Sequence, residues 1–485
     1  MRHLGMKPMV MGEIERETQV VVIGSGPGGY AAAFRAADLG LEVTLIDSAP
    51  ALGGECLHYG CIPSKALLTA THLLEQITAA QTMGIRAEHV SVDPATMNQW
   101  KDGILGQLAK GLEQLAERRG IEIVHGQATF TGSRHIRISD AGAGSLTFEQ
   151  AIIATGSHPI HLPGIEVDGE RVMTSREALQ LGVIPERLLV IGGGYIGLEL
   201  GSVYARLGSQ VTVVELTAQL LPGIERDLVQ VVQQTLRKRG VEILLRTKVT
   251  RVQHEGQHLT VNLAQENGAT QALEVDRVLV AVGRRPNSAG LNLEQTRVKL
   301  DGRGFIQVDA QRRTADARIY AVGDVTGEPM LAHKAAREGK VAAEVIAGEP
   351  AAFDNVTVPA VVFTEPEIAF CGMSEEQARA AGYTLKVGKF PFRALGRALT
   401  LNATEGFVKV IADAEHDVLL GVRMVGPGAS DLISEAVLAI EMGAQLEDLA
   451  VSIHPHPTLS EALAEAAEVA LQRAIHLYYP RRTPK

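Results

Sequence analysis

The sequence has few aromatic residues, few cysteines and no excess of basic charge, and each shortage excludes a class of protein. Aromatic residues make up 4% of the 485 positions, with one tryptophan, Trp100, which argues against an aromatic-rich binding sandwich. Three cysteines cannot form a disulfide scaffold, so we expect a cytoplasmic setting. With 46 basic and 56 acidic side chains, the net charge of −10 makes nucleic acid or an anionic membrane a poor partner.

The chain also lacks a long apolar run and a secretory signal. The longest uncharged stretch covers positions 18–34 and contains four glycines and a proline in its middle. That stretch barely reaches the minimum length of a membrane span, and the glycines argue against a helix, so we predict no span. Residues 1–17 carry charges of both signs and no apolar core, so they predict a disordered N-terminal tail.

Glycine, in contrast, is plentiful, with 50 of 485 residues. The apolar run 20–23 predicts a buried parallel strand, and a glycine turn follows it. An alanine-rich helix is predicted over 30–39, and a second strand over 43–46 ends at an acid. This strand–turn–helix–strand–acid order is typical of a dinucleotide-binding unit. Its key residues are Gly24, Gly26, Gly29 and Asp47.

The same unit occurs a second time, further along the chain. Strands are predicted over 188–191 and 211–214, and the spacing from the first glycine to the acid is identical in the two copies. The residues of the second copy are Gly192, Gly194, Gly197 and Glu215. One glycine motif is a weak signal, whereas two complete units with matched spacing strongly predict two nucleotide sites, rather than two tight turns of an ordinary α/β sheet.

Each residue type has a physical reason. The first glycine makes the tight turn, the second lets the backbone approach a pyrophosphate, and the third lets helix and strand pack closely. The terminal acid accepts hydrogen bonds from ribose hydroxyls and repels a 2′-phosphate, so Glu215, with no arginine at 216–218, favours NAD over NADP. NAD carries a hydride, and flavin is the usual relay between that hydride and a thiol or disulfide.

Two cysteines follow the first unit closely. Cys56 and Cys61 are separated by four residues, so a disulfide between them is sterically allowed. Zinc would need two more soft ligands, and Cys371 is the one other thiol of the chain, so we predict no metal. Two inert buried thiols are the alternative, but a cytoplasmic disulfide that persists is usually catalytic.

These motifs resemble those of the flavin-dependent pyridine nucleotide-disulfide oxidoreductases, and most closely the members that oxidise dihydrolipoamide. The resemblance covers nearly the whole chain from about residue 17, and its motifs occur in the family's order. They lie at residues 24–29, 53–65, 154–156, 192–199, 281–286, 321–324, 330–334 and 454–461. The cysteine motif and the C-terminal motif are the most specific.

The resemblance implies an α/β fold with two Rossmann-like domains and a C-terminal α+β interface domain that forms a homodimer. The expected order is tail 1–17, FAD-binding domain 18–157, NAD-binding domain 158–282, resumed FAD-binding domain 283–350 and interface domain 351–485. FAD contacts are expected at Gly24, Gly26, Gly29, Asp47, Lys65, Ala128, Thr155, Gly156, Asp324, Met330, Leu331, Ala332 and His333. The NAD side is expected at Gly192, Gly194, Gly197, Glu199, Glu215, Val249 and Gly283, with Lys65 paired to Glu199.

The resemblance also implies the chemistry. Cys56 would exchange with the substrate, Cys61 would face the flavin, and His456, oriented by Glu461 and supplied by the other subunit, would be the base. His454 is expected to be a surface or loop residue. The implied reaction is oxidation of protein-bound dihydrolipoamide with reduction of NAD, and the implied partner is a lipoyl domain of a 2-oxo acid dehydrogenase or glycine-cleavage assembly.

Three positions depart from the family's usual pattern and leave alternatives open. His58 either tunes the thiol pKa or is simply exposed, and the role of its neighbour Tyr59 is left open. Tyr195 either covers the flavin until nicotinamide enters or is a packing residue.

Rival functions are a glutathione-reductase-like or mercuric-reductase-like enzyme and a non-catalytic redox or flavin protein. Against the first, this sequence has Glu215 and lacks the arginines that would bind NADP. Against the second, it lacks a cysteine pair near the C-terminus, and against the third, it contains the pair His456 and Glu461, which a non-catalytic protein would not need.

Overall fold

A computed structural model describes residues 14–139 and 144–478 of the chain. The chain divides into two compact units. The first unit contains residues up to Ile62, Asp102–His158 and Arg284–Asp354, and the second contains Pro63–Lys101, Pro159–Gly283 and the residues from Asn355 onward. Residues 63–101 therefore belong to the second compact unit, although the predicted FAD-binding domain, 18–157, includes them. The domain boundaries stay a prediction.

The described residues form parallel and antiparallel strands, in part with helices between them. The strands are β1 (Ile14–Ile23), β2 (Val43–Asp47), β3 (Glu122–His125), β4 (Gln127–Gly132), β5 (His135–Ser139), β6 (Gly144–Ile153), β7 (Ser157–Pro159), β8 (Val172–Met173), β9 (Arg187–Ile191), β10 (Gln210–Val214), β11 (Glu242–Leu244), β12 (Thr247–Glu255), β13 (His258–Gln265), β14 (Thr270–Val275), β15 (Arg277–Val280), β16 (Arg284–Pro286), β17 (Ile319–Ala321), β18 (Ala360–Val362), β19 (Glu367–Gly372), β20 (Leu385–Pro391), β21 (Phe407–Asp413) and β22 (Leu419–Gly426).

Helices of very different lengths lie among these strands. The α-helices are α1 (Pro27–Asp38), α2 (Gly54–Tyr59), α3 (Cys61–Ala79), α4 (Pro94–Arg118), α5 (Ser175–Ala178), α6 (Tyr195–Arg206), α7 (Arg226–Lys238), α8 (Ala332–Ile346), α9 (Glu375–Ala380), α10 (Gly396–Thr400), α11 (Ala429–Glu441), α12 (Leu446–Val451) and α13 (Glu461–Ala470). Short 3₁₀ turns lie at Ala80–Met83, Leu293–Gln295, Gly323–Thr326 and Phe392–Ala394. Within the described residues, no helix is both long and apolar enough to cross a bilayer.

The sheet of the first unit is parallel at its centre. Its order is β3-β2-β1-β6, with β5 and β4 continuing antiparallel and β17 also pairing with β6. β1 pairs with β6 from Ile14 onward, so the strand begins inside the stretch 1–17 that was predicted to be a tail. That prediction was wrong for residues 14–17, because pairing with β6 supplies hydrogen bonds along the whole strand; residues 1–13 lie outside the described part of the chain.

Two helices of the first unit approach each other very closely. A Cβ atom added at Gly339 of α8 would lie 2.3 Å from the carbonyl oxygen of Gly28 on α1. Ala32, Ala33 and Ala36 of α1 are completely buried in the core beside them. The small side chains of α1 therefore allow the close packing, since larger ones would separate α1 from α8 and from the strands.

The second unit contains a parallel sheet of order β11-β10-β9-β15-β8 and an antiparallel three-stranded sheet, β12-β13-β14. The internal repeat is present as structure: α1 and α6 have 12 residues each, and each follows its glycine turn directly. A five-stranded antiparallel sheet, β18-β19-β22-β21-β20, carries α11 and α13 and completes the unit. Leu67 and Leu68 of α3 pack into the core of this unit, which explains why residues 63–101 belong to it.

Candidate active site

The first glycine of each motif occupies a position that no other residue can take without strain. Gly24 has φ of +102° and Gly192 has φ of +107°, in the region that favours glycine. A Cβ atom would lie 2.4 Å from the carbonyl oxygen of Ala154 at Gly24, and 2.4 Å from that of Ala281 at Gly192. The two turns therefore share one backbone geometry, as the repeat predicts.

The second and third glycines differ in what surrounds them. A Cβ atom at Gly26 or Gly194 would meet nothing within 4 Å, and each residue is the N-cap of the helix that follows. At Gly29 and Gly197 a Cβ atom would lie 1.7 Å and 2.2 Å from the first glycine's carbonyl oxygen. Open space at the N-terminus of a helix suits a pyrophosphate, because the helix dipole is positive there, so both turns fit a dinucleotide.

The acids at the ends of the second strands brace the glycine turns. Asp47 accepts hydrogen bonds from the backbone N–H of Ser25 at 2.6 Å and from that of Ala49 at 2.8 Å. Glu215 does the same with Gly193 at 2.7 Å and Thr217 at 2.8 Å. The partners occupy corresponding positions in the two copies of the repeat, so both acids have a structural role that sequence reasoning did not find.

Other predicted FAD contacts lie around the ends of β6 and β17 in the first unit. Asp324 accepts a hydrogen bond from the hydroxyl of Ser157 at 2.6 Å. The Thr155 hydroxyl donates to the carbonyl of Asn287 at 2.7 Å, and the Gly156 carbonyl accepts from the Asn287 N–H at 2.9 Å. Asn287, which the sequence did not single out, thus fixes the turn that follows β6.

The remaining predicted contacts of the first unit lie on β4 or at the start of α8. Ala128 is buried in β4, where it pairs with Ile138, so its backbone is engaged in the sheet. Residues 330–333 lead into α8, with Leu331 as its N-cap. Glu338, one turn further along α8 and fully buried, accepts from the Gly323 N–H at 2.7 Å and pairs with Arg312 and Lys334. This carboxylate anchors the turn that carries Asp324.

The other predicted residues of the NAD side lie in the second unit. Val249 is a buried residue of β12, where the strand pairing shifts register. Gly283 has φ of +122°, and its carbonyl accepts a hydrogen bond from the Ile160 N–H at 3.0 Å. Tyr195 is the first residue of α6 and is 41% exposed.

The cysteine segment lies directly on the first glycine turn. The Gly53 N–H donates to the Ser25 carbonyl at 3.0 Å, and a Cβ atom at Gly54 would lie 2.6 Å from the Cα atom of Gly26. Cys56 lies in α2, which ends at Tyr59, and Cys61 begins α3, so the two thiols do not share one continuous helix. His58 contacts the Leu52 carbonyl through Nε2 at 2.9 Å, which ties it to the glycine-rich turn.

The three thiols have different surroundings. Cys56 and Cys61 are partly exposed, whereas Cys371 is buried and its pKa is raised by burial to about 12. Burial also raises the pKa of Tyr30 on α1, and negative charge on Cys56 and Cys61 raises it further. Both thiols of the motif therefore lie close enough to Tyr30 for their charge to act on it, and Cys371 is not a candidate nucleophile.

Lys65 and Glu199 form the predicted pair within the second unit. Nζ of Lys65 lies 2.7 Å from Oε2 of Glu199, which is 3% exposed. The other carboxylate oxygen accepts a hydrogen bond from the Phe363 N–H at 3.0 Å, and the Lys65 ammonium also lies 4.4 Å from the centre of the Phe363 ring. Phe363 carries no motif, so the sequence alone could not identify it.

The C-terminal motif forms a histidine–carboxylate dyad in the second unit. His456 Nδ1 lies 2.8 Å from Oε1 of Glu461, and the imidazole is 77% exposed. Glu461 Oε2 accepts from the Thr458 N–H at 2.8 Å. Burial works to raise the pKa of Glu461, but the hydrogen bonds from His456 and Thr458 and the charges of His456 and His476 hold it below its usual value.

His454 lies in the loop between α12 and α13, as expected, and its side chain is 9% exposed. Its Nε2 lies 2.9 Å from Oε1 of Glu435, and its Nδ1 lies 2.9 Å from the Ser452 carbonyl. The sequence could have indicated a structural role for His454, because this residue lies two positions before His456 in the same motif.

The predicted catalytic residues are distributed over both units. The thiols of Cys56 and Cys61 belong to the first unit, and the dyad of His456 and Glu461 belongs to the second. Within the described residues, no cluster of three or more histidine, cysteine, aspartate or glutamate side chains has a metal-binding arrangement.

Comparison with known proteins identifies relatives along nearly the whole chain. Residues 18–339 match the model of the pyridine nucleotide-disulphide oxidoreductases, and residues 358–467 match the dimerisation domain of the same family. The chain is 48% identical over 472 residues to dihydrolipoyl dehydrogenase 2 of Haloarcula marismortui, covering 96% of this chain and 100% of the relative. It is 47% identical over 470 residues to the dihydrolipoyl dehydrogenase of Geobacillus stearothermophilus, covering 97% and 99%.

Solved structures agree with these matches. LpdA from Mycobacterium tuberculosis superimposes with a TM-score of 0.87 at 29% identity, covering 93% of this chain and 99% of that one. The HOCl-induced flavoprotein disulfide reductase RclA from Escherichia coli superimposes with a TM-score of 0.83 at 30% identity, covering 93% and 99%. The architecture of this chain is therefore shared by flavoprotein disulfide reductases.

Proposed function

The chain belongs to the pyridine nucleotide-disulphide oxidoreductase family, and we propose that Cys56, Cys61, His456 and Glu461 carry out its reaction. The reaction is the oxidation of dihydrolipoamide to lipoamide with reduction of NAD. Relatives that are 47 to 49% identical over nearly the whole chain are dihydrolipoyl dehydrogenases, and the cofactors are FAD and NAD. Among the observations on the site itself, the hydrogen bond between His456 and Glu461 carries the assignment of the base.

The dyad determines which nitrogen of His456 can accept a proton. Because Nδ1 faces the ionised Glu461 at 2.8 Å, the neutral imidazole carries its hydrogen there and presents the lone pair of Nε2. Nε2 then takes a proton from a thiol of dihydrolipoamide, since the thiolate is the nucleophile. Glu461 stabilises the imidazolium that results, which is the logic of a catalytic triad.

The cysteines complete the thiol exchange. The substrate thiolate attacks Cys56 of the Cys56–Cys61 disulfide, and the Cys56–Cys61 bond breaks with Cys61 leaving as thiolate. The second substrate thiolate then displaces Cys56, so lipoamide leaves with its disulfide formed and the enzyme retains two reduced sulfurs. FAD, when bound, accepts this electron pair and supplies a hydride to NAD. The exchange role of Cys56 and the flavin-facing role of Cys61 follow the order in the family.

The chain's own residues also account for cofactor binding. The first glycine turn with Asp47 would hold the FAD pyrophosphate and ribose, with Asp324 holding a more distant part of the same cofactor. The second turn with Glu215 would hold NAD, and the absence of a following arginine favours NAD over NADP. Lys65, paired with Glu199, would lie near the flavin.

The quaternary assembly supplies the base. The match of residues 358–467 to the dimerisation domain supports a homodimer, and both members of the dyad lie in that segment. We infer that His456, whose side chain is 77% exposed in the single chain, serves the cysteine pair of the other subunit. A lipoyl domain of a 2-oxo acid dehydrogenase or glycine-cleavage assembly delivers the substrate, and the low cysteine content favours a cytoplasmic location.

The test is NAD reduction by dihydrolipoamide with purified, FAD-loaded protein, and with NADP in a parallel sample. Rapid NADH formation with little NADPH is expected. A chain that oxidises NADPH with another disulfide and does not reduce NAD would contradict both the substrate and the role of Glu215. Cys56→Ser should retain FAD and lose lipoamide activity, and full activity in that variant would refute the exchange role of Cys56.

A further inference from the structure

The loop between β10 and α7, residues 215–225, lies against the second glycine turn. Its Leu221 N–H donates to the carbonyl of Gly193, the middle glycine of that turn, at 2.9 Å. The Gly193 N–H donates to Glu215, at the start of the same loop, at 2.7 Å. A Cβ atom at Gly193 would lie 2.6 Å from Cδ2 of Leu220. The β10–α7 loop therefore holds both backbone groups of Gly193 and leaves no space for a side chain there.

Leu221 makes this contact from an unusual backbone conformation. Its φ is +49°, in the left-handed region that leucine rarely adopts, and the residue is 3% exposed. Such a conformation persists only where the surrounding structure holds it, and it often occurs at functional sites. Leu220 beside it is completely buried, which fixes the middle of the loop. Glu225, which directly precedes α7, fixes its other end.

Glu225 is bound by two buried cations of the antiparallel sheet. Its Oε1 lies 3.2 Å from Nζ of Lys409 on β21, and its Oε2 accepts a hydrogen bond from Nε of Arg423 on β22. The side chains of Lys409 and Arg423 are 5% and 4% exposed, and that of Glu225 is 19% exposed. Charge-assisted hydrogen bonds that are shielded from water in this way fix the position of both partners more firmly than exposed ion pairs do.

The backbone of the neighbouring strand fixes Arg423 in turn. Nη1 donates to the carbonyl of Cys371 on β19 at 2.6 Å, and Nη2 donates to that of Gly372 at 3.2 Å. Three nitrogens of one planar guanidinium thus have defined acceptors, an arrangement that the single ammonium of a lysine cannot reproduce. Arg423 therefore connects the sheet to Glu225, and through it to the β10–α7 loop.

The charges around Glu225 are balanced. Lys409 also contacts Asp227 of α7 and Glu375 of α9, each at 3.2 Å. Lys389 of β20 lies 3.2 Å from Asp227 as well. Together with the guanidinium, three cations face three carboxylates. Removal of the Glu225 charge therefore still leaves Lys409 with two carboxylates, so the cluster keeps most of its ion pairs.

We propose that Glu225 and Arg423 are positioning residues for NAD, because they hold the β10–α7 loop in the arrangement that shapes the second glycine turn. The assignment of NAD to this turn rests on the proposed function. Neither side chain contacts NAD in this proposal; both act through Leu221 and Gly193. A loosened loop would let Leu221 leave its strained conformation, so the Gly193 carbonyl would lose its donor and NAD would have to order the turn as it binds.

Glu225→Gln tests this connection with little change in shape. The amide has one accepting oxygen, and its NH₂ group cannot accept from the second cation, so one of the two contacts is lost. NAD should bind the oxidised, FAD-loaded protein about tenfold more weakly, a difference of about 1.4 kcal/mol. Isothermal titration calorimetry with NAD measures this affinity without turnover. FAD content should be unchanged, because the first glycine turn belongs to the other unit.

A matched control lies at the opposite end of α7. Glu405 lies 3.2 Å from Lys238, the last residue of that helix, so Glu405→Gln makes the same chemical change at the same distance. Its affinity for NAD should equal that of the parent. If Glu225→Gln does not fold, Arg423→Lys replaces it, since it keeps the charge and loses the planar fork. The same weakening of NAD binding is then expected.

The outcomes separate positioning of the turn from general stability. Weaker NAD binding with normal FAD content supports the proposal, and equal weakening in Glu405→Gln overturns it. A lower unfolding temperature with the parent's NAD affinity would assign the pair to stability alone and also overturn it. Glu215→Gln changes the turn itself. If that variant weakens NAD binding and Glu225→Gln does not, this proposal alone fails; if neither does, the assignment of NAD to the turn fails, and the proposal with it.

Discussion

The ammonium of Lys65 lies 2.7 Å from a carboxylate oxygen of Glu199 that is almost fully withdrawn from solvent. Glu199 is 3% exposed, and Lys65 is 31% exposed, so the lysine brings charge from the surface to a buried acid. The second oxygen of Glu199 is held by the Phe363 N–H. A buried carboxylate with this few partners depends strongly on its counter-charge.

Removing the lysine alone should therefore destabilise the protein. Lys65→Met leaves Glu199 charged and buried, and we expect a loss of about 3 kcal/mol in the free energy of unfolding. The double variant Lys65→Met/Glu199→Leu should recover most of that loss, because it removes the buried charge as well. Thermal unfolding with FAD in excess measures both. A single variant as stable as the parent would contradict the dependence of Glu199 on Lys65.

The exposed imidazole of the dyad should be needed for the thiol step alone. His456→Gln should lower kcat with dihydrolipoamide by a factor of about 10² to 10⁴, because no group then removes the thiol proton. Reduction of a quinone dye by NADH, which needs no base for a thiol, should remain near the parent rate. Equal losses in both assays would indicate damage to the fold and not loss of the base.

Glu461 leads to a prediction about pH. Its pKa is held below the ordinary value of 4.5, so the carboxylate contributes stability at neutral pH that is lost as pH falls through its folded-state pKa. Glu461→Gln should therefore be less stable than the parent near pH 7, and the two proteins should become equally stable as the pH falls below the folded-state pKa of Glu461, where the carboxyl of the parent is protonated. Unfolding midpoints compared at both pH values check this. A difference that persists at the lower pH would assign the loss to packing.

The three thiols should differ sharply in reactivity. With a pKa near 12, Cys371 is ionised in about one molecule in ten thousand at pH 8, and it is also buried. Iodoacetamide should therefore label Cys56 and Cys61 of the reduced native protein and leave Cys371 unlabelled. In denaturant all three should be labelled, which provides the control. Early labelling of Cys371 in the native protein would show that its segment opens readily.

The paired acids of the repeat give matched variants. Each carboxylate accepts from two backbone N–H groups, whereas the amide that replaces it has one accepting oxygen and an NH₂ group that cannot accept. Glu215→Gln and Asp47→Asn therefore each lose one of the hydrogen bonds that hold the glycine turn. Glu215→Gln should raise the KM for NAD about tenfold with FAD retained, since each loss of about 1.4 kcal/mol is tenfold. Asp47→Asn should lose FAD at normal purification. If instead Glu215→Gln lost FAD and Asp47→Asn raised the KM for NAD, each turn would bind the cofactor that is assigned here to the other.

Local spacing carries much information about this protein. The glycine motifs, their strands and their acids could be predicted because each unit forms within one short, continuous stretch of chain, and the physical demands of a tight turn admit few residue types. The dyad of His456 and Glu461 is equally local, since its partners lie close together in the sequence. The limits of β1 could not be predicted, because its first residues are extended by pairing with β6, which is distant in the chain.

The sequence by itself thus determined the two dinucleotide turns, the cysteine pair, the C-terminal dyad and the family. Only the tertiary structure decided the partners of side chains that reach across the fold. Arg284 meets Ser157 and Glu55 at separations of 127 and 229 residues. It likewise decided that His454 contacts Glu435. The reason is that a charge finds its partner by packing of distant elements, and no local periodicity or spacing records which elements will meet.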